Sequence, residues 1–328
     1  MSAARGLLVD TANSVFDAVD PAQGFTACWS KVADAGFALL LVPEAAGGFG
    51  GDAGDLFAIL RVAGARALAL PVGETIVAMS MLAEQAPLDQ ALSFTDRHDG
   101  RIDGERYTGV LGEVPFGRHV AAVVVRAADR LLYLNTCDAE IVEAYSLAGE
   151  PRDTLRFSNA PAQSSPCTVD LRRCGAFLRV AQSAGALDRA LEMTIEHANA
   201  RQQFGKPLAK LQAVQQSLAV FAVEAAAANS AGEAAAAALD HGDASFEIAA
   251  AKLRTNQAIG IGTATAHQVH GGIGFTQEYP LHLLTRRLMG WRSEFGNDAF
   301  WAAELGGVVA ALGAEGLWAE IARRGDRS

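Results

Sequence analysis

The sequence has few cysteines, and their spacing does not indicate a disulfide framework, a zinc site or a redox dithiol. Its 328 residues include four cysteines, which show neither close pairs nor the histidine partners of a metal site. A chain of this length can bury a sufficient apolar core without covalent cross-links. We therefore predict reduced, mostly buried thiols and no metal site for Cys28, Cys137, Cys167 and Cys174.

Positive charge is also in deficit, and long uncharged apolar runs are missing. The chain has 27 Lys and Arg against 37 Asp and Glu, a formal net charge of −10, which argues against a general nucleic-acid surface. The Ala-rich run 225–238 is interrupted by polar residues, so no membrane span is expected. A single Arg5 before a very short apolar run does not make a signal peptide. The sequence predicts a cytoplasmic protein.

Proline is absent from residues 208–279, where composition and apolar spacing favour helices. Helices are predicted at 178–200, 211–239 and 245–270, and a fourth lies within 281–305. Four long helices in succession predict a helical bundle.

Two regions with different patterns of apolar and glycine residues precede this bundle. Residues 1–90 have mostly helical spacing, whereas 91–168 contain short glycine-punctuated segments, including apolar strands at 119–126 and 130–135. The sequence therefore predicts a mostly α protein with three domains. These are an N-terminal helical domain at 1–90, a small, shortened β domain at 91–168 and a C-terminal four-helix bundle at 169–328.

Two glycine-containing motifs mark corners of the predicted bundle. Residues 201–207 read RQQFGKP, and residues 268–275 read QVHGGIGF. Antiparallel helices would bring these corners together. A guanidinium pairs with a diphosphate as a planar fork, and glycines let backbone N–H groups approach a ligand, so we interpret the corners as anion-binding ends. Taken singly, Arg201 also fits a surface ion pair, and Gly271 and Gly272 also fit a plain helix stop.

The two motifs, in this order on this architecture, resemble those of the acyl-CoA dehydrogenase family. The resemblance covers nearly the whole chain and implies FAD at an interface between subunits, an acyl-CoA thioester as substrate and an electron-transfer flavoprotein-like acceptor. It implies that the two corners together hold the ADP half of FAD, with a contribution from Gln212 just after the first corner. The implied cofactor-binding residues are Arg201, Gln203, Phe204, Gln212, Gln268, Gly271 and Gly272.

Three departures from the family pattern concern the flavin ring and the catalytic base. The middle region offers only GEVPFG at 112–117 where the family has a longer flavin-ring loop. The family's base lies nine residues beyond an Arg, and counting from Arg286 gives Phe295, with Glu294 one position early. The alternative family position, 26 residues before Arg201, is Gly175. A carboxylate is needed to remove the α-proton of the thioester, so no catalytic residue is assigned beyond the weak candidate Glu294.

With these departures, the chain resembles the short, non-catalytic subunit of bacterial heteromeric dehydrogenases that act on steroid side-chain CoA thioesters. That resemblance implies a heterotetramer in which a homologous subunit supplies the base and the flavin-ring pocket. Two alternatives stay open. The chain is a self-sufficient homo-oligomeric dehydrogenase that uses Glu294 after a local shift, or it is a helical scaffold that has lost the flavin.

Overall fold

The computed structural model describes residues 3–82 and 89–325, and the chain forms two compact units. The first unit comprises Met1–Leu56 and Leu68–Gly175, and the second comprises Phe57–Ala67 and Ala176–Ser328. The finer division into three domains at 1–90, 91–168 and 169–328 stays a prediction.

The helical part of the first unit is built from four helices, of which the third continues into the second unit. Helix α2 buries Cys28, Trp29 and Val32 on one face, as its apolar spacing predicts. Helix α4 is apolar almost all round and is buried along nearly its whole length. The bounds are α1 Ala3–Asp17, α2 Phe25–Asp34, α3 Ala53–Ala65 and α4 Val72–Leu82.

The β part of the first unit contains two four-stranded sheets, ordered β1-β4-β5-β8 and β2-β3-β7-β6. The predicted strands at 119–126 and 130–135 are confirmed as the antiparallel pair β4 and β5, in which Val124 lies opposite Tyr133. The bounds are β1 Leu92–Thr95, β2 His98–Asp103, β3 Arg106–Pro115, β4 Ala122–Ala127, β5 Arg130–Asn135, β6 Ala139–Val142, β7 Arg152–Pro161 and β8 Gln163–Pro166.

The second unit contains the predicted bundle helices, which confirms the mostly α class. The bounds are α5 Leu171–Ala200, α6 Gln212–Asp240, α7 Ser245–His270, α8 Leu281–Trp291 and α9 Asp298–Gly325, with a short hairpin of β9 Gln202–Gln203 and β10 Lys206–Pro207 after α5. The predicted fourth helix within 281–305 is confirmed as α8, which ends at Trp291, and α9 begins only at Asp298. Phe295 and Gly296 both have positive φ, at 53° and 107°, which a continuous helix does not accommodate.

Helices α6 and α7 pack closely because small residues line their contact. Ala225 and Ala228 of α6 are buried in the bundle core. On α7, a Cβ built at Gly262 would lie 2.5 Å from the Cε2 atom of Phe221 and 3.0 Å from the Cδ2 atom of Leu187. The absence of a side chain at Gly262 therefore lets the Phe221 ring of α6 lie directly against α7.

The sequence prediction that the cysteines are mostly buried needs correction. All four cysteines are free, as predicted, but only Cys28 is buried, whereas Cys137 is exposed. The β5 strand ends at Asn135, and Cys137 follows in a short surface turn, so the apolar character of the thiol does not decide its place. Among the described residues, no group of His, Cys, Asp and Glu could hold a metal ion.

Helix α9 bears on the expected absence of a membrane span. Within the described residues α9 is the one helix long and apolar enough to match a membrane span, and none of the matching stretch is buried, but its backbone is not helical at Gly313, where φ is 70° and ψ is 172°. The sequence prediction had required an uncharged run, which Glu304 and Glu315 interrupt. The match rests on length and composition alone.

Two glycines of α7 allow a matched test of the packing. We expect Gly262→Ala to lower the free energy of unfolding by about 1–3 kcal/mol, because the added methyl group overlaps Phe221. Gly260→Ala should instead raise it by about 0.5–1 kcal/mol, because its Cβ meets only Arg292 at 3.5 Å and alanine favours a helix. Urea unfolding of the two variants measures both effects. Equal effects of the two substitutions would contradict the packing described here.

Candidate cofactor-binding site

The motif at 201–207 forms a two-residue β-hairpin. Gln203 pairs with Lys206, and the tip residues Phe204 and Gly205 have φ of 52° and 76°. Positive φ at both central residues is the geometry of a type I′ turn, whose twist matches that of the paired strands. The Leu208 N–H donates to the Arg201 carbonyl at 2.9 Å and closes the hairpin. The motif thus holds its residues in a fixed register directly after α5.

The second motif forms the end of α7. The helix stops at His270, and Gly271 takes φ of 61° and ψ of −140°, a conformation that favours glycine, while its N–H donates to the His267 carbonyl. A Cβ added at Gly271 or Gly272 would meet no atom within 4 Å. Neither glycine is therefore explained by internal packing, and both leave open space beside the backbone.

Both motifs line one cavity of about 500 Å³. Five of the seven predicted cofactor-binding residues lie in its wall: Arg201, Gln203, Gln268, Gly271 and Gly272. The other two lie outside the wall. Phe204 projects from the hairpin tip with 85% of its surface exposed, and Gln212 is an exposed residue that starts α6. The structure adds eight lining residues that the sequence did not assign: His197, Leu208, Ala213, Val214, Ser217, Val269, His270 and Ile273.

The helix ends around the cavity carry opposite partial charges. Helices α5 and α7 both end here, so their carboxyl ends disfavour an anion, whereas α6 begins here. Leu211, at the cap of α6, makes no side-chain capping bond, and Ala213 and Val214 of the first turn lie in the cavity wall. The favourable end for an anion is therefore the start of α6, at the first of the two predicted corners, together with the Arg201 guanidinium.

Two histidines in the wall stack on each other. The rings of His197 and His270 lie 4.4 Å apart at 26°. Burial lowers the pKa of both imidazoles, and the pKa of His197 is lowered further by His270 and by Arg201. His270 stands inside the second motif, and His197 lies one helical turn before Arg201 of the first motif. The position of each histidine relative to a motif could therefore have identified it as a site residue.

The weak catalytic candidate Glu294 lies in the segment between α8 and α9 and is engaged in an ion pair. Its carboxylate accepts a bond from the Arg179 Nε atom at 2.7 Å, and the two side chains are 13% and 2% exposed. Arg179 also donates to Gln182 at 2.7 Å and lies over the Phe295 ring. A carboxylate held by a buried guanidinium is poorly suited to accept a proton from a substrate.

A buried lysine holds the chain just before this segment. Lys252 of α7 donates to the Trp291 carbonyl at 2.8 Å and to the Asn256 Oδ1 atom at 2.9 Å. It thereby satisfies the carboxyl end of α8, which would otherwise be buried without a partner. The position of Phe295 and Glu294 is thus fixed from the core of the bundle.

Four other bundle carboxylates form ion pairs on helix faces. Arg189 pairs with Glu192 and Glu196, both well exposed. Glu224 pairs with Arg254, and Glu247 pairs with Arg324. The two positions at which the family resemblance predicts the base are occupied by Phe295 and Gly175, and neither residue has a carboxylic acid side chain.

Comparison with known proteins is consistent with this geometry. The family model described as "Acyl-CoA dehydrogenase, C-terminal domain" matches residues 174–303. The acyl-CoA dehydrogenase IpdE2 of Mycobacterium tuberculosis is 29% identical over 273 residues, which are 78% of this chain and 77% of IpdE2. The acyl-CoA dehydrogenase FadE34 of the same organism is 31% identical over 333 residues, which are 92% of this chain but only 46% of FadE34. This chain therefore spans about half the length of FadE34.

Solved structures share the fold. The ChsE4-ChsE5 complex from Mycobacterium tuberculosis has a TM-score of 0.84 at 22% identity, over 93% of this chain and 97% of the other. A Tcur3481-Tcur3483 steroid ACAD variant has a TM-score of 0.85 at 22% identity, over 94% and 98%. A glutaryl-CoA dehydrogenase from Mycobacterium smegmatis in complex with FADH2 has a TM-score of 0.76 at 18% identity, over 93% and 94%.

Residues 174–303 therefore belong to the acyl-CoA dehydrogenase family, and the similarity to IpdE2 extends over most of the chain. The predicted family and the predicted enzyme class, a CH–CH oxidoreductase, are confirmed. One of the solved neighbours is described with the reduced form of the predicted cofactor.

The Arg179–Glu294 pair makes a testable contribution to stability. We expect Glu294→Gln to lower the free energy of unfolding by about 3 kcal/mol, because it leaves a buried guanidinium without its counter-charge. The control Glu113→Gln removes the partner of Arg97 in a pair whose side chains are 50% and 52% exposed, and should change stability by less than about 1 kcal/mol. Chemical denaturation measures both. A Glu294→Gln protein as stable as the parent would contradict a structural role for the pair.

Proposed function

We propose that this chain is the non-catalytic subunit of a heteromeric FAD-dependent acyl-CoA dehydrogenase. In this proposal it holds the ADP half of FAD, and a homologous partner subunit supplies the base and the flavin-ring pocket. The observation that carries the proposal is a contrast between two sites of one chain. The predicted ADP-binding residues converge on one cavity, whereas the family's base position is occupied by Phe295.

The residues of the cavity fit a diphosphate and a nucleoside. Arg201 offers a planar fork of donors for phosphate oxygens, and the start of α6 adds backbone N–H groups and a favourable dipole. Gln203 and Gln268 each donate and accept, which suits a ribose or a base. Gly271 and Gly272 leave open space in which a ligand can approach the backbone.

The two predicted residues outside the cavity wall have a place in the same proposal. Phe204 is an apolar ring held in solvent by a hairpin tip with positive φ, a conformation that is costly for phenylalanine. An exposed, strained aromatic side chain of this kind is suited to stack on a ligand or to contact a second subunit. Gln212 lies at the first position of α6 and can reach a ligand from the rim of the cavity.

The chemistry divides between this chain and its partner. When bound, FAD supplies the hydride acceptor for α,β-dehydrogenation of an acyl-CoA thioester. This chain's residues bind and orient the ADP half by charge and hydrogen bonding. Removal of the α-proton needs a positioned carboxylate, which Phe295 cannot be and which Glu294, held by Arg179, is poorly placed to be. The partner therefore provides the base.

The comparisons support the partner and the substrate class of this proposal. One solved neighbour is described as the ChsE4-ChsE5 complex, and another as a Tcur3481-Tcur3483 steroid ACAD variant, so each description pairs two protein names. FadE34 is about twice as long as the stretch that this chain matches, which fits an enzyme built from two homologous parts. We propose a steroid side-chain CoA thioester as substrate, an electron-transfer flavoprotein-like acceptor and a cytoplasmic location.

The decisive experiment measures flavin stoichiometry. The chain is purified alone and after co-expression with an adjacently encoded acyl-CoA dehydrogenase-like chain, and flavin absorbance is combined with native mass spectrometry. We expect about one FAD for every two chains, only in the mixed complex. Full FAD occupancy and acyl-CoA oxidation by this chain alone would support the self-sufficient alternative. A partner complex without flavin would support the scaffold alternative.

Substitution of Arg201 tests the cavity directly. We expect Arg201→Met to weaken FAD binding by the mixed complex by about 10-fold to 100-fold, because a charged hydrogen bond to phosphate contributes about 1.5–3 kcal/mol. Lys206→Met removes a positive charge from the same hairpin, outside the cavity wall, and serves as the control. Flavin fluorescence titration measures the affinity. Equal losses in the two variants would attribute the effect to overall charge and not to the cavity.

A further inference from the structure

The histidine pair in the cavity wall has no part in the predicted cofactor-binding set. His197 occupies the last turn of α5, and His270 is the last residue of α7. Their rings stack at 4.4 Å, and both line the cavity together with Arg201. Two imidazoles and a guanidinium thus face the space proposed for a diphosphate.

Hydrogen bonds fix the protonation state of His270. Its Nδ1 atom lies 2.8 Å from the Ala266 carbonyl, which can only accept, so Nδ1 carries a hydrogen. Its Nε2 atom lies 3.1 Å from the Tyr279 hydroxyl and accepts from it when the ring is neutral. A second proton on the His270 ring would require the hydroxyl to turn away. Burial lowers the pKa of His270, and both bonds suit its neutral form.

The His197 ring is not fixed in this way. Within residues 3–82 and 89–325, no hydrogen bond is formed by its ring nitrogens, and the ring is only half-buried. It touches the wall of the cavity, so its nitrogens are available to a ligand. Of the two histidines, His197 is the one that can change its charge without breaking an internal bond.

The surroundings of His197 favour its neutral form while the cavity lacks an anion. Burial lowers the pKa of His197, and the nearby His270 and Arg201 lower it further. Tyr279 lies edge-on at 6.3 Å, and its pKa is raised by burial and by the carboxylate of Glu196. A diphosphate in the cavity would place negative charge beside His197 and shift its pKa upward.

We infer that His197 is an additional phosphate-binding residue of this cavity and takes up a proton when a diphosphate ligand binds. The inference rests on the proposed function, because it assigns a further residue to the same ADP-binding site. The proton goes from solvent to a free ring nitrogen of His197, and the resulting N–H donates to a phosphate oxygen. Ligand affinity should therefore rise as the pH falls through the range in which His197 titrates.

The test uses the complex of this chain with its partner, depleted of FAD, and ADP-ribose as the probe. ADP-ribose keeps a constant diphosphate charge near neutral pH, whereas ADP itself titrates there. We expect its affinity to increase about tenfold from about pH 8 to about pH 6, as one charged hydrogen bond is gained. Calorimetry in buffers of different ionisation enthalpy should show net proton uptake on binding.

Two variants and one control isolate His197. His197→Phe keeps the stacking on His270 but cannot titrate, and His197→Asn provides a second variant that keeps a polar side chain. Both should bind with little pH dependence and without proton uptake. The control His241→Phe lies beyond the far end of α6, outside this cavity, and should behave like the parent.

The outcomes separate this inference from the proposed function. Binding of ADP-ribose without proton uptake, or uptake that persists in His197→Phe and His197→Asn, overturns the role of His197 alone. Failure of the parent complex to bind either ADP-ribose or FAD at any pH overturns the ADP-binding function and this inference with it.

Discussion

The close packing of α6 against α7 is the constraint on which the candidate site depends. Gly262 admits the Phe221 ring, and alanines on α6 keep the two helices near each other along their length. Because the helices follow one another through a short turn at 241–244, the start of α6 and the end of α7 lie at the same end of the pair. The amino-terminal end of α6, which carries a positive partial charge, and the glycine corner at the end of α7 therefore line the same cavity.

Two phenylalanines of the second unit have a strained backbone, one in the predicted cofactor motif and one next to Glu294. Phe204 and Phe295 both take positive φ, which is rare for a bulky residue and costs free energy that the surroundings must offset. Hairpin pairing on both sides holds Phe204, whereas burial and the Arg179 guanidinium hold Phe295. The first phenylalanine is presented to solvent in the cofactor motif. The second stands at the position where the family resemblance predicts the base, and phenylalanine cannot serve as one.

The sequence predicted the helices and strands best where one periodic pattern ran uninterrupted. Helix α7 matches its prediction at both ends, since a polar loop precedes it and a glycine pair follows it. The sequence placed a fourth helix within 281–305 but did not indicate its end at Trp291, because the positive φ of Phe295 depends on tertiary contacts and not on its own preference. The exposure of Cys137 was missed for a similar reason, as a surface turn overrides the apolar tendency of a thiol.

The candidate site shows the same division between local and tertiary information. Motif spacing sufficed to bring Arg201 and Gln268 to one cavity, because each lies next to a helix end that the sequence marked. It could not show that His197 stacks on His270, or that the start of α6 forms part of the wall, since both follow from how three helices meet. The family resemblance also assigned Phe204 to cofactor binding, and the hairpin leaves its side chain exposed, outside the cavity wall.

The charges around the cavity favour a shared cofactor over one that this chain would hold alone. Arg201 and the start of α6 attract an anion, but two helix carboxyl ends adjoin the same space and oppose it. With His197 neutral, the positive charge within this wall is limited to one guanidinium and one helix dipole for a ligand that carries two phosphates. A proton that His197 takes up from solvent neutralises part of the remaining phosphate charge. The rest of the neutralisation has to come from groups outside this wall. A partner subunit that covers the exposed Phe204 would exclude water from the cavity and strengthen each of these interactions, which couples cofactor binding to assembly.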